Sequence, residues 1–207
     1  MAAPARRPRA KRGEGDRLRE EILAAASELL LKTGDEEAVS VRAVAQAVGV
    51  TAPSIYLHFA DKDGLLLAVC ELQFRQFDEF VERAVAGIDN PIEQLNMRGQ
   101  AYVRFGVEFP EHYRILFMNK TAALLVRADA ERLSTVSGFG HLVDNVRRCI
   151  DSGALAETDA LLVATGLWAL VHGVTSLAIS VPGFPEVGLD RLVEHVCGVY
   201  GLGLMKH

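Results

Sequence analysis

The stretch VGVTAPSIYLHFADKDGL, residues 48–65, decides how the first part of the chain folds. Gly49 predicts the end of one helix, because glycine adopts the left-handed conformation that closes a helix without steric cost. A single residue, Val50, separates it from Thr51, whose hydroxyl is a candidate N-cap for the next helix. Pro53 lies in the first turn of that helix, where a missing N–H costs little. The two helices must therefore meet at a steep angle.

The second of these helices is short, and its side chains divide into an anchoring side and a polar side. Ile55 and Phe59 are four residues apart and can pack on the preceding helices. A short helix after a glycine turn is typical of a helix-turn-helix, whose second helix enters the major groove of DNA. Its hydroxyl groups could donate to phosphates and base edges. The side chains left for the exposed side are Thr51, Ala52, Ser54, Tyr56 and His58.

The flanking segments predict further helices around this motif. Residues 16–32 repeat apolar side chains at the spacing of an amphipathic helix, which Gly34 ends. Ser40 is a candidate N-cap for the helix before the turn. Asp61 can cap a long helix after it, and Lys62 lies in the first turn of that helix. A cation there is unfavourable to the helix dipole unless a negative group lies opposite, so Lys62 is either a phosphate contact or a solvated lysine.

Composition sets limits on the class of protein. The chain has 207 residues, of which 50% are hydrophobic, so it can bury one large core or two small ones. Cys70, Cys149 and Cys197 have no CxxC spacing, which argues against a disulfide framework or a zinc site and predicts core thiols. No apolar run reaches the roughly 18 residues that would suggest a membrane span, and the first residues are too charged for a secretory signal. We expect a soluble cytoplasmic protein without membrane contact, metal or other cofactor.

The net charge of −5 is unevenly distributed along the chain. Residues 1–62 carry ten Lys and Arg against nine Asp and Glu, whereas residues 63–207 carry twelve against eighteen. Residues 1–14 are a predicted disordered arm, because a basic segment of this composition cannot build a core. The arm is either a solubilising tail or a segment that condenses on a phosphate backbone or enters a minor groove. Two functions are therefore expected along the chain.

Residues 77–207 predict a second domain that is wholly helical. The segment shows no strand alternation and no internal repeat. The sequence as a whole therefore predicts an all-α protein of about nine helices. The expected helix boundaries in this domain are Asn90 as an N-cap with an end near Phe109, a restart at Pro110, residues 133–151, Thr158 as an N-cap with an end near Ile179, and a last helix from about Leu189.

The segment ALLVATGLWALVHGVTSLAIS, residues 160–180, is apolar on every side. Such a helix is either sunk in a large core or shared between two chains. Paired with the last helix, it would form a four-helix interface across a two-fold axis. A dimer would hold two short helices about 34 to 36 Å apart, or at a related spacing, which predicts a near-palindromic DNA site. The residues predicted to contact the partner are Leu167, Val171, Val174, Leu192, Val196 and Val199.

The first 70 residues or so resemble the TetR family of one-component bacterial transcription regulators. The resemblance is carried by REEILAAASELLLKTG (residues 19–34) and by SVRAVAQAVGVTAPSIYLHFADKDGLL (residues 40–66), with Tyr56-x-His58-Phe59 inside the second. It implies a DNA-binding domain over residues 15–76 with the helix-turn-helix at about 39–59. It also implies that the groove-facing helix is lined by Thr51, Ala52, Pro53, Ser54, Tyr56 and His58, and that Ser40, Arg42 and Lys62 reach phosphates.

Two positions of this helix need separate comment. Leu57 departs from the family pattern, since many members carry a polar or basic residue there, so the DNA sequence that relatives recognise cannot be transferred. His58 has an alternative role, because a histidine beside Phe59 can be a packed residue whose ring bonds a backbone carbonyl. For Tyr56 a phosphate partner is favoured, because a buried tyrosine would need another partner for its hydroxyl.

The segment Trp168-x-x-x-His172-Gly173 is similar to the Trp-His-Gly signature of one C-terminal subgroup of this family. The resemblance implies dimerisation through the last two long helices, a ligand pocket in the C-terminal domain, and usually repression. The ligand would be a small hydrophobic or aromatic effector that releases the protein from its operator. Each aromatic candidate could instead be ordinary core, and His172 a hydrogen-bonded core or interface residue. The candidate pocket residues are Phe74, Tyr102, Phe105, Tyr113, Phe117, Met118, Trp168 and His172.

Two other classes of protein are compatible with parts of the chain. An enzyme would need a nucleophile or acid beside a second catalytic group, and no such pair, phosphate loop, HExxH or GxSxG motif is present, so we expect no catalysis. A helical small-molecule-binding protein without a DNA role is the second alternative. Affinity for a duplex that falls steeply with salt would distinguish a regulator from it. The residues that could act as acids, ligands or a nucleophile are His112, His141, His172, His195 and Cys149.

Overall fold

The computed structural model describes residues 14–118 and 138–202, and the secondary structure of these residues is entirely helical. The predicted all-α class is confirmed, with nine helices in the described part of the chain. The predicted arm up to residue 13 lies outside the described residues. The helices are α1 Glu14–Thr33, α2 Val41–Val48, α3 Ala52–Tyr56, α4 Lys62–Val85, α5 Pro91–Glu108, α6 Pro110–Phe117, α7 Phe139–Asp151, α8 Ala160–Ser180 and α9 Leu189–Leu202.

The described chain consists of two compact units. The first comprises residues 14–73 and 114–118, and the second comprises residues 74–113 and 138–202. Helices α4 and α6 each contribute residues to both units. The sequence predicts one domain for everything after residue 76, whereas the second half of α6 belongs to the first unit.

In the first unit the predicted helix ends are confirmed at three positions. Ser40 caps α2, since its hydroxyl oxygen accepts from the backbone N–H of Ala43 at 3.1 Å. Asp61 caps α4 in the same way by accepting from the N–H of Gly64 at 2.7 Å. Gly34 follows the end of α1 with a φ of 64°, a left-handed conformation that strains any residue with a Cβ.

An apolar core holds α1, α2, α3 and the start of α4 together. Each of these helices contributes at least one fully buried aliphatic side chain, and each such burial stabilises the fold by about 1.5–3 kcal/mol. A buried hydrogen bond joins α1 to α4, since Nε2 of Gln73 donates to Oγ of Ser27 at 2.7 Å. The buried aliphatic side chains include Ile22, Leu30, Val44, Ile55 and Leu65.

In the second unit α8 packs on α5, α7 and α9. Gly106 of α5 allows close approach, because a Cβ at this position would lie 2.1 Å from Cγ2 of Thr175 on α8. A side chain at Gly106 would therefore push the two helices apart. The core between α7 and α8 is formed by Val143, Val146, Cys149, Leu155, Val163, Ala164 and Leu167.

Two of the predicted helix starts in this unit are wrong. The cap of α8 is Asp159 and not Thr158, because Oδ1 of Asp159 accepts from backbone N–H groups two and three residues further on, at 2.8 and 3.2 Å. Helix α7 begins at Phe139, because Gly138 has a φ of 70° and interrupts the helix predicted over residues 133–151. Residues 133–137 lie outside the described residues. Asn90 caps α5 as predicted.

The residues that α8 exposes to solvent are not those predicted to contact a partner chain. Leu167, Val171 and Val174 are buried within their own chain. A side chain buried in this way offers little area to another chain, and the partner contact of these three stays a prediction. Of the predicted contacts on α9, Leu192 and Val196 are half-buried and Val199 is exposed. The large apolar side chains that α8 does expose are Leu161, Leu162, Trp168 and Leu177.

Helix α8 is long and apolar enough to cross a membrane by length and composition, with a mean hydropathy of 1.7. The expectation that no segment meets this criterion is therefore corrected. One such helix is weak evidence for a membrane, because core and interface helices have the same composition. Only 28% of its most apolar segment is buried within the chain, so much of its surface remains to be covered.

All three cysteines are free thiols, as predicted. Burial, with a smaller effect from the nearby Glu36 and Glu71 carboxylates, raises the pKa of Cys70 to about 12. Burial also raises the pKa of Cys149 to about 11 and that of Cys197 above its ordinary value. The three thiols are therefore protonated at neutral pH.

Candidate nucleic-acid interface and internal cavity

The turn between α2 and α3 depends on Gly49, whose φ of 76° and ψ of 32° are left-handed. This conformation lets the N–H of Val50 donate to the carbonyl of Ala45 at 2.9 Å, which closes α2. Thr51 then stands at the start of α3, one residue further on. The predicted tight turn between two helices is therefore confirmed.

Thr51 does not cap α3 through its hydroxyl, contrary to prediction. Its backbone has the extended conformation of an N-cap, but Oγ1 lies 3.0 Å from Oγ of Ser54 and accepts no backbone N–H. The two hydroxyls form a hydrogen-bonded pair at the start of α3, with Thr51 exposed and Ser54 half-buried. Either hydroxyl can donate or accept, so the pair is suited to base edges or phosphates.

The rest of α3 divides as predicted into an anchored side and a presented side. Ile55 and Phe59 are buried. Tyr56 is 54% exposed and Leu57 is 84% exposed, so both side chains project into solvent. Among the other predicted DNA contacts, Ser40, Arg42 and Pro53 are exposed, whereas Ala52, His58 and Lys62 are half-buried.

Lys62 has a negative partner that the sequence did not reveal. Its Nζ lies 3.1 Å from Oε2 of Glu37, which follows α1 by four residues. The Lys62 side chain is 29% exposed and that of Glu37 is 89% exposed. The carboxylate therefore occupies the role assigned to a phosphate, and a phosphate would have to replace it.

Arg19 of α1 is an exposed cation near α3 that sequence reasoning missed. Its guanidinium carbon lies 5.1 Å from the centroid of the Phe59 ring, within range of a cation–π contact. Nothing in the local sequence joins these two positions, which are 40 residues apart. Only the fold of the first unit brings this guanidinium beside the Phe59 ring, three residues after the end of α3.

The second unit contains a partly open cavity of about 370 Å³ between α5, α7, α8 and α9. Its walls are mainly aliphatic and aromatic, with a few polar groups. Leu167 and Val171, predicted to face a partner, are among its lining residues. The full lining consists of Ile92, Leu95, Asn96, Arg98, Gly99, Tyr102, Leu142, Ala154, Leu155, Leu167, Trp168, Val171, Cys197, Gly198 and Tyr200.

Two of the eight predicted pocket residues, Tyr102 and Trp168, line this cavity. Phe105 is instead buried among aromatic rings, with its centroid 5.0 Å from that of Phe77. The other predicted residues do not line the cavity. Phe74 is buried elsewhere in the second unit, and Phe117 and Met118 belong to the first unit. Tyr113 and His172 lie behind the wall.

A hydrogen-bonded cluster joins the cavity-lining Tyr102 and Trp168 to residues behind the wall. Nδ1 of His172 is 2.6 Å from the hydroxyl of Tyr113 and 3.1 Å from that of Tyr102, and Nε1 of Trp168 donates to the Tyr102 hydroxyl at 3.2 Å. Burial lowers the pKa of His172 and raises the pKa values of Tyr102 and Tyr113. The cluster is therefore uncharged at neutral pH. His172 is half-buried and hydrogen-bonded within its own chain, which agrees with the alternative of a hydrogen-bonded core or interface histidine.

A polar group of a different kind lies between α4 and α7. Nδ1 of His141 is 3.0 Å from Oδ1 of Asp78 and 3.3 Å from Oε1 of Glu82, and these three ligand-type atoms lie within 4.8 Å of one another. Arg98 also forms an ion pair with Glu82. A guanidinium already supplies positive charge here, which disfavours a metal cation.

The family follows from comparison with known proteins. Residues 22–69 match the model of the bacterial regulatory proteins of the tetR family, and residues 96–199 match that of a tetracyclin repressor-like C-terminal domain. The first match covers the turn with α3, and the second covers most of the helices around the cavity. The chain belongs to the TetR family of bacterial transcription regulators, whose members bind operator DNA. Membership of the Trp-His-Gly subgroup stays a prediction.

Two curated relatives are transcription regulators from Mycolicibacterium smegmatis. The HTH-type transcriptional regulator EthR is 31% identical over 110 residues, which are 52% of this chain and 47% of EthR, so the match spans about half of that relative. The HTH-type transcriptional activator FasR is 28% identical over 170 residues, which are 80% of this chain and 76% of FasR. Both are named as regulators and not as enzymes.

Solved structures share the fold over most of the chain. A protein of unknown function from Rhodococcus sp. RHA1 has a TM-score of 0.74 and 25% identity, with 91% of this chain and 96% of that chain covered. AibR, solved with isovaleryl coenzyme A and operator DNA, has a TM-score of 0.58 and 20% identity, with coverage of 87% and 96%. At such identities the second likeness concerns the fold alone.

Proposed function

We propose that this protein is a ligand-responsive transcriptional repressor, without enzymatic activity, that binds a near-palindromic operator as a homodimer in the cytoplasm. The observation that carries this proposal is the presented side of α3. Ile55 fixes the helix from behind, while the Thr51–Ser54 hydroxyl pair and the exposed Tyr56 face solvent. A helix five residues long contributes little to a core, so its exposed surface is the part available to bind DNA.

Different side chains of this surface have different roles on DNA. Thr51, Ser54 and Ala52 lie at the start of α3 and would contact base edges, with Leu57 available to a thymine methyl group. Tyr56, His58, Ser40, Arg42 and Lys62 would contact phosphates, which position the helix without reading sequence. We add Arg19 to the phosphate contacts, because it is exposed beside Phe59.

Dimerisation is supported by the apolar surface of α8 and α9. Leu161, Leu162 and Leu177 of α8 and Val199 of α9 are exposed in the single chain. Large exposed apolar side chains on neighbouring helices mark an interaction surface. A two-fold axis there would pair α8 and α9 with their copies and hold two copies of α3 for one operator. The same pairing explains a helix of membrane-like composition without a membrane.

The cavity supports binding of a small effector. Its volume and its mainly apolar walls are those of a ligand pocket. A ligand that fits one arrangement of the dimer better than another would shift the equilibrium away from the DNA-bound form. That AibR was solved with both an acyl thioester and its operator is consistent with such a response in this fold.

Selection of bound fragments from genomic DNA, followed by footprinting, tests the proposal. We expect enriched fragments with two inverted half-sites and a footprint of matching symmetry. Ser54→Ala should change the preferred base pair within each half-site, whereas Arg147→Ala, exposed on α7 in the second unit, should not. Failure to enrich any fragment, together with duplex binding that does not depend on salt, would favour the alternative of a helical small-molecule carrier.

A further inference from the structure

The cavity of the second unit is large enough for one small molecule. Its volume of about 370 Å³ lies within the range of ligand pockets in proteins. The aliphatic and aromatic walls favour an alkyl chain or a single ring for most of this ligand.

Arg98 is the charged residue in this otherwise mainly apolar lining. Its side chain is only 8% exposed, and it forms an ion pair with Glu82 through Nη1. Its Nε is buried and has no hydrogen-bond partner among the residues that the structure describes. An unsatisfied donor on a buried cation is costly, so the protein compensates the polar groups of Arg98 incompletely.

The ion pair with Glu82 compensates Arg98 incompletely. The Glu82 side chain is 38% exposed, and its carboxylate also contacts Nδ1 of His141 at 3.3 Å. The carboxylate is thus partly screened by water and shared with a second group, whereas the guanidinium is buried. Two other polar groups of the wall are engaged with each other, since Nε1 of Trp168 donates to the Tyr102 hydroxyl.

We propose that the effector is an apolar molecule that carries a carboxylate, and that this carboxylate binds the guanidinium of Arg98 while the alkyl or aryl part fills the cavity. The inference rests on the proposed function, because it names the ligand of the same cavity. A guanidinium presents several donors in one plane and matches a carboxylate better than it matches a neutral hydroxyl. Glu82 then acts as an internal competitor for Arg98.

Calorimetric titration of the full chain with matched ligands tests this assignment. Decanoate and 4-phenylbutyrate supply the carboxylate, and 1-decanol and 4-phenylbutanol supply the same apolar part with a hydroxyl. The carboxylates should bind about ten-fold more tightly or better, the ratio expected for hydrogen bonds to charged groups. Arg98→Gln should lower carboxylate affinity by about ten-fold and leave alcohol affinity within about two-fold.

Glu82→Gln provides a second variant with the opposite expected sign. It removes the competitor and keeps Arg98, so carboxylate affinity should rise by about three-fold or more. A merely structural role of the ion pair would instead weaken binding in both variants. This variant also keeps the proposal testable if Arg98→Gln does not fold.

Several outcomes would overturn the inference. Equal affinity for the acid and alcohol series, binding of neither series, or weaker carboxylate binding by Glu82→Gln would each contradict a carboxylate site at Arg98. None of them affects DNA binding, which is measured without ligand. Conversely, tight carboxylate binding by a protein that binds no duplex would leave Arg98 assigned and refute the proposed repressor.

Discussion

Substitutions of Lys62 and of its ion-pair partner Glu37 should change the affinity for DNA in opposite directions. Lys62→Ala should weaken binding to every duplex alike and reduce the slope of log K against log salt by about 0.9 per protomer, or about 1.8 per dimer. Glu37→Gln should strengthen binding, because Lys62 no longer has to leave a carboxylate 3.1 Å away. Since Glu37 is 89% exposed, the pair contributes only about 0.5 kcal/mol per protomer. Its loss in both protomers gives about five-fold tighter binding.

Fluorescence anisotropy of a labelled duplex over a series of salt concentrations measures both quantities. Arg147→Ala is the matched control, because Arg147 is also an exposed cation in an ion pair, 2.7 Å from Asp144, but lies in the second unit. It should change neither affinity nor slope. An unchanged slope in Lys62→Ala, or weaker binding by Glu37→Gln, would refute the phosphate role of Lys62 and leave the pair a structural one.

Gly106→Ala should lower the free energy of unfolding by about 1–3 kcal/mol, because its methyl group would lie 2.1 Å from a side chain of α8, whereas Gly15→Ala meets nothing within 4 Å and should lose none in thermal unfolding. Leu177→Glu should shift sedimentation toward monomer and abolish operator binding, whereas Val107→Glu, exposed on α5, should do neither. Burial lowers the pKa of His172, so the stability that the neutral side chain contributes is complete above about pH 6.5 and is lost as pH falls toward the lowered pKa. His172→Gln should therefore make the free energy of unfolding, measured by denaturation at a series of pH values, depend less on pH in this range.

Each of these expectations has a contrary result. A Gly106→Ala protein as stable as wild type would mean that α5 and α8 separate at little cost. A dimer that survives Leu177→Glu would place the interface away from α8. An unchanged pH dependence in His172→Gln would assign the acid sensitivity to other groups, such as His112, whose pKa is also lowered by burial.

Helix ends could be predicted where one local rule acts alone. Ser40, Asp61 and Gly49 each act on backbone groups within a few residues, so their roles are legible in the sequence. Thr51 and Thr158 were predicted to cap helices and do not, because a neighbouring side chain takes over the hydroxyl or the capping position. The Thr51 hydroxyl pairs with that of Ser54, and Asp159 offers a carboxylate one residue after Thr158.

The cavity could not be predicted, because it depends on distances between four helices. Aromatic residues at helical spacing indicate burial but do not indicate which of them border an open space. Of the predicted pocket residues, only Tyr102 and Trp168 therefore line the cavity. Helix α8 is apolar on every side, and its periodicity therefore does not select a face. Leu167 and Val171 were assigned to the partner surface for this reason, although they line the cavity.

The buried thiols have a practical consequence for experiments on this protein. Because burial raises the pKa of Cys70 to about 12, this thiol is almost entirely protonated at pH 7. Because the thiolate is the species that alkylating dyes and mild oxidants attack, the native cysteines should react slowly. A cysteine introduced at the exposed Leu57 would react much faster. The natural sequence can therefore serve as the background for attaching a fluorophore to the tip of α3.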